Sequence, residues 1–218
     1  MKYFIDVKIQ GSNIIEKIFA DCMPAPFLSI LTNDCIAKGK DYNAGGARYN
    51  TKYLQGVGIG TITDCLAAVK YNVYDKKNFT MDELMAALDD NFIGHERILN
   101  LVKNHSPKYG NDDEYADEIM KQVFEYYQGE VTGRPNMLGG MYRVNMLPTT
   151  CHVYFGEVMM ASANGRLAHV PVSEGISPEK GADVNGPTAV IKSCAKMDHL
   201  MTGGTLLNQK FTPSVVAG

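Results

Sequence analysis

The feature that most narrows the fold of this chain is a change of rhythm at Gly129. Before it, apolar residues recur at three- and four-residue spacing, as helices require; after it, glycines and prolines cut the chain into short runs. Pro24 and Pro26 introduce an apolar stretch from Phe27 to Ile36, and Gly39 is placed to end it. Thr61-Ile62-Thr63-Asp64 leads into a second expected helix over Cys65–Val69. Thr80 with Glu83 three residues on reads as a capping box, followed by Leu84, Leu88 and Phe92 on one face. A further helix is expected over Ile93–Val102, after Gly94. Asp112 or Asp113 opens another, with Tyr115, Ile119, Val123, Phe124 and Tyr127 as its buried side and Gly129 as its end. In the second half, Tyr142–Leu147, Cys151–Phe155 and Thr205–Phe211 read as strands or strand ends. Ser173–Pro187 reads as a long ordered loop or lid, and Gly186-Pro187-Thr188 starts a helix reaching Met197. Helices alternating with a few strands predict an α/β fold.

Composition removes several function classes. Apolar residues make up 45% and charged residues 21%, the balance of a globular chain. A net charge of −3 argues against nucleic acid as the main partner. No stretch is apolar and long enough to span a bilayer, and Met1–Asp6 is no signal peptide, so neither a membrane nor export is expected. The cysteines, Cys22, Cys35, Cys65, Cys151 and Cys194, are odd in number and form no CxxC pair; reduced thiols in a cytoplasm and no metal site are expected. Both ends are apolar, at Phe4-Ile5 and at Phe211–Gly218, which reads as two cuts in a longer chain more readily than as natural termini.

Motif by motif, structural roles win. Gly56-Val57-Gly58-Ile59-Gly60 has its third glycine misplaced for dinucleotide binding and suits a tight turn before a helix. Arg48, in the Gly-rich stretch Asn43–Asn50, can bind a carboxylate or tie its loop to a neighbouring acid or carbonyl, and the tie is favoured. His95-Glu96 lacks the second histidine of a zinc-protease helix. Asn111-Asp112-Asp113-Glu114 lacks the spacing of a calcium loop and fits a helix N-terminus. Cys151 is the best-placed thiol, yet on a strand His152 would face the other way, leaving a buried small hydrophobe as the default.

Several stretches, taken in order, resemble one family: Met23–Ser29, Gly45–Asn50, Gln55–Gly58, Tyr109–Asp113, Ala163–Arg166, Ser173–Pro178, Asn185–Ala189 and Leu206–Phe211. They are similar to the later part of the pyruvate formate-lyase-like domain of glycyl radical enzymes, and the resemblance covers the whole chain. It implies part of a ten-stranded α/β barrel, the later half-barrel with its surrounding helices, over residues 1–218. It implies a lyase that removes water by a thiyl-radical mechanism, with trans-4-hydroxy-L-proline as the best-matching substrate. Glycerol or propanediol dehydration, choline-type cleavage and formate acetyl transfer are sister chemistries. The implied cofactor is a glycyl radical, installed by an activase that uses an iron–sulfur cluster and S-adenosylmethionine. The implied partners are that activase, a small-molecule substrate, the rest of the enzyme, and a second copy in a homodimer.

Two departures bear on activity. Arg143-Val144 is followed by Asn145-Met146, so the radical-glycine motif is missing; no glycine precedes any cysteine, so the thiyl-cysteine motif is missing too. The chain is therefore expected to be a fragment lacking the upstream cysteine loop and the C-terminal glycyl radical domain, inactive alone and prone to oligomerise or fall out of solution. A catalytically dead binding or assembly module is the competing reading. No catalytic residue is assigned. For substrate binding the resemblance points to Thr149 and Thr150, which follow an expected strand and carry hydroxyl donors; a hydroxyl bonding its own backbone beside Pro148 is the alternative.

Overall fold

The computed structural model describes residues 1–211, so the end of the apolar run Phe211–Gly218 lies outside the described residues. In chain order the regular elements are α1 (Lys2–Cys22), α2 (Pro26–Leu31), α3 (Cys35–Lys38), β1 (Lys52–Gln55), α4 (Ile59–Val69), α5 (Met81–Asp89), α6 (Glu96–Asn104), α7 (Glu114–Val131), β2 (Tyr142–Met146), α8 (Cys151–Val158), α9 (Pro187–Ala195) and β3 (Thr202–Thr205). The chain divides into two units: Met1–Leu54 with Tyr126–Asn145, and Gln55–Glu125 with Met146 onward.

In the first unit α1 runs unbroken through Gly11-Ser12, where no helix was expected. Its inner side buries Ile5 and Ile9 and is fixed by polar contacts. Arg134 Nη1 donates to Asp6 at 2.5 Å, Tyr142 Oη donates to Asn13 at 2.9 Å, and the Met137 amide donates to Glu16 at 3.2 Å. Tertiary contacts of this kind override a mid-helix glycine that costs about 1 kcal/mol in isolation. The expected Phe27–Ile36 helix is two short ones, broken at Thr32–Asp34, and Gly39 does end the second in the left-handed region at φ 58°. Arg48 forms the expected loop tie, donating through Nε and Nη2 to Asp34. β1 lies beside β2, and Lys52 N donates to Met141 O at 3.1 Å.

The second unit is built around Ala68, Phe79, Leu84, Ala87, Phe92, Ile98 and Val102. α4 starts six residues before the expected Cys65, with Gly58 turning the chain at φ 82°. The Thr80–Glu83 capping box is present on α5, a feature worth about 1 kcal/mol. On α7 the buried positions are Ala116, Asp117, Met120, Phe124 and Val131; of the five expected, only Phe124 is fully buried. Tyr115 stays near the surface because its ring lies 4.0 Å from Lys70 Nζ and its hydroxyl donates to Asp75 at 2.6 Å. Cys151–Phe155, expected as a strand, is the first part of α8. Gly156 explains the difference: a Cβ there would lie 2.4 Å from the Val170 carbonyl, so the helix is pressed against the Val170-Pro171 backbone. Packing of this kind overrides the strand preference of Val153, Tyr154 and Phe155. Thr205–Phe211 is likewise mostly not strand: β3 ends at Thr205, and beyond it Leu206 N donates to Met146 O. α9 forms over Pro187–Ala195, with Pro187 in its first turn.

Candidate functional site

β2 alternates in burial, with Tyr142, Val144 and Met146 inside, and delivers the chain through buried Pro148 to Thr149 and Thr150. Both threonines are exposed, and their hydroxyl oxygens lie 3.5 Å apart. The turn into α8 sets them side by side. Thr150 makes no side-chain cap on α8, although its carbonyl accepts from Val153 N. Among the described residues the two hydroxyls have no backbone partner.

Two residues further on, His152 meets Glu174, with Nδ1 to Oε2 at 3.9 Å. Nδ1 is buried without a hydrogen-bond partner among the described residues, and the His152 carbonyl accepts from Val172 N at 3.2 Å. Both side chains line a cavity of about 680 Å³, with Lys180, Asp183, Asn208 and Lys210 also on its walls. Thr149 and Thr150 do not line it. Sequence reasoning missed this pair; nothing at spacing 22 in sequence links a helix residue to a loop acid.

Behind the cavity the expected loop Ser173–Pro187 is ordered by buried polar groups. Thr61 N donates to Ser173 Oγ at 3.0 Å, Ser173 N donates back to Thr61 Oγ1 at 2.8 Å, and Thr61 Oγ1 donates to Glu179. Arg166, 5% exposed, donates to the carbonyls of Met160 at 2.5 Å, Val170 at 2.7 Å and Leu167 at 3.1 Å. Lys108 Nζ donates to the Asn164 carbonyl, and Tyr109 N donates to Asp64 Oδ1 at 2.8 Å. Asp64 Oδ2 has no partner among the described residues. Burial pushes the Asp64 carboxyl up to about 7 against the pull of Lys108, raises Glu179, and lowers Lys108.

Cys151 opens α8 exposed, not buried as the default reading had it, and burial raises the Cys65 and Cys194 thiols. His95 Nε2 contacts Asp90 at 3.0 Å. Among the described residues no three His, Cys, Asp or Glu side chains converge as a metal-binding group. No helix among them is long and apolar enough to cross a membrane.

Comparison with known proteins places this geometry. Residues 1–156 match the family model described as pyruvate formate lyase-like, and residues 172–218 match the glycine radical model. The chain is 69% identical over its full 218 residues to trans-4-hydroxy-L-proline dehydratase of Clostridioides difficile, covering 28% of that protein. The crystal structure of the C. difficile hydroxyproline dehydratase with trans-4-hydroxy-L-proline bound superposes with a TM-score of 0.96 at 70% identity, over 100% of this chain and 28% of the other. The glycerol-bound B12-independent glycerol dehydratase of Clostridium butyricum gives 0.94 at 40% identity, again over 100% and 28%. The expected α/β fold, part of the barrel of glycyl radical enzymes, is the fold of these neighbours. The chain spans a little over a quarter of their length.

Proposed function

Since the chain belongs to the pyruvate formate lyase-like family, we propose that it forms part of the barrel and substrate pocket of a glycyl radical dehydratase acting on trans-4-hydroxy-L-proline. The observation that carries the substrate is the 69% identity to the C. difficile enzyme over every residue, against 40% to the glycerol dehydratase. We propose further that Thr149 and Thr150 contact the substrate. Two adjacent hydroxyls without backbone partners suit its carboxylate or its 4-hydroxyl. Their role is to bind and orient; neither residue type removes hydrogen from carbon. The radical, when present, supplies that abstraction, after which water leaves.

The thiyl cysteine and radical glycine are assigned to polypeptide outside these residues, because neither motif occurs in them. The same reading includes an iron–sulfur, S-adenosylmethionine-dependent activase as partner, a homodimeric enzyme and a cytoplasmic location.

The test uses a complete enzyme carrying this segment. Thr149→Val and Thr150→Val are expected to lower kcat/KM by about tenfold to a hundredfold, as loss of a hydrogen bond to a charged group does, with glycyl radical yield unchanged by electron paramagnetic resonance. Full activity in both variants overturns the threonine assignment. Dehydration of glycerol with none of trans-4-hydroxy-L-proline overturns the substrate.

A further inference from the structure

α4 begins with a turn that its own N-cap does not serve. That residue is Gly58, which has no side chain to accept from the first amides of the helix. The acceptor comes from 112 residues away: Ser173 Oγ takes the Thr61 amide at 3.0 Å. The clasp is reciprocal. Ser173 N donates to Thr61 Oγ1 at 2.8 Å, and the Thr61 hydroxyl in turn donates to Glu179. Thr61 and Ser173 are each 4% exposed, so water does not compete for these groups. The fit is steric as well. A Cβ on Gly60 would lie 3.0 Å from Ser173 Oγ, and one on Gly58 would lie 3.4 Å from Val172 Cγ2.

What this clasp holds is the frame of α8. One residue back from Ser173, Val172 N donates to the His152 carbonyl at 3.2 Å, in the first turn of α8. Further along the same helix, Pro171 Cα lies 2.4 Å from where a Cβ on Gly156 would stand. The strap from Val170 to Ser173 therefore grips α8 near both ends, and Thr61 fastens the strap to α4. Thr150 is the N-cap residue of α8, and Thr149 precedes it. Among the described residues their hydroxyls contact only each other, at 3.5 Å. Where those two hydroxyls stand is set by the frame and not by bonds of their own.

We propose that Thr61 is a positioning residue for substrate binding. Acting through Ser173, Val172 and the His152 carbonyl, it fixes the place from which Thr149 and Thr150 present their hydroxyls. This inference rests on the assignment of those two threonines as substrate contacts; Thr61 itself touches no substrate. Hydrogen bonds weaken steeply with misalignment, so slack in a distant clasp lowers affinity while leaving every contacting group in the chain.

The test is calorimetric binding of trans-4-hydroxy-L-proline to a complete enzyme carrying this segment, before any radical is installed, so that no chemical step enters the readout. Thr61→Val keeps the shape of the side chain and removes the hydroxyl; it is expected to raise Kd about tenfold. Thr61→Ser keeps the hydroxyl and is expected to bind as the parent does. In a Thr149→Val, Thr150→Val background, Thr61→Val is expected to add nothing, because no hydroxyls remain to be placed. An equal loss in both backgrounds overturns the proposal, since it marks a general loosening of the fold. Parent-like binding by Thr61→Val, alongside weak binding by the double threonine variant, overturns this inference alone. Parent-like binding by the double threonine variant overturns it together with the contact assignment beneath it. If circular dichroism shows Thr61→Val unfolded, Ser173→Ala, which removes the acceptor of the Thr61 amide, is judged by the same outcomes, with an expected rise of about threefold.

Discussion

Arg48 in the first unit and Arg166 in the second each hold a loop, under opposite conditions. Arg48 is exposed and forks onto one carboxylate, Asp34, whose pKa it lowers. Arg166 is buried and makes no ion pair among the described residues; its guanidinium is shared among three backbone carbonyls and the Ser162 hydroxyl at 3.1 Å. The acids differ in the same way. Asp34 has its cation and gives up its proton readily, whereas Asp64 is walled off from water, lacks a direct cation and holds its proton to about 7. The difference teaches that the residue type does not set the contribution. In water an ion pair is screened and flexible; inside, every polar atom left unpaired costs free energy that water no longer offsets.

The sharpest way to break the comparison is Arg166→Met. It keeps the bulk of the side chain and removes donors from the carbonyls of Met160, Leu167 and Val170. The expected loss is on the order of 3–5 kcal/mol, read as a lower urea midpoint, since each buried acceptor left unpaired costs about 1–3 kcal/mol. A loss no larger than for an exposed arginine would end the argument.

Next in size is Asp64→Asn. A carboxyl raised by burial binds its proton more tightly folded than unfolded. Its contribution is therefore present below the ordinary carboxylate range and is lost as pH rises through about 7. The parent chain is expected to lose stability between about pH 4 and pH 7, on the order of 2–4 kcal/mol, and the variant to lose little. With asparagine at this position, the side-chain carbonyl would still accept from the Tyr109 amide. Identical pH profiles of the two proteins would show that Asp64 is ionised throughout.

The smallest effect belongs to Arg48→Met. Its ion pair with Asp34 is open to solvent, so no shift in the urea midpoint is expected at moderate salt. A clear destabilisation here would mean that the loop tie matters as much outside as inside.

What could be read from the sequence follows from how local each cause is. The Thr80–Glu83 box, the Gly39 stop and the Pro187 start are made by residues within four positions of one another, and all three are present. α8 is not legible because its cause is distant: Val170-Pro171 packs on Gly156, and Cys151 to Phe155 reads locally as strand. α1 is not among the helices expected, because what fixes it is distant: Arg134, Met137 and Tyr142, more than a hundred residues away, contact Asp6, Glu16 and Asn13. At the site, Thr149 and Thr150 are visible as a pair after a strand. Their side-by-side placement is not, because it depends on the turn into α8. His152 with Glu174 is invisible for the same reason, and Arg166 stands in a recognised motif without a role.

Three glycines of the second unit converge on the segment from Glu174 to Pro178. A Cβ on Gly60 would lie 2.7 Å from the Ser177 carbonyl, one on Gly110 would collide with the Pro178 ring, and one on Gly175 would collide with the Leu206 carbonyl. At Gly60 and Gly175 main chain rests on main chain, and no side chain stands between them through which mutation can adjust the fit. Such a segment is closed to gradual change: almost any substitution displaces it whole. If the proposed role of Thr149 and Thr150 holds, diversification of specificity proceeds there, where the exposed side chains can be exchanged without moving the frame that carries them.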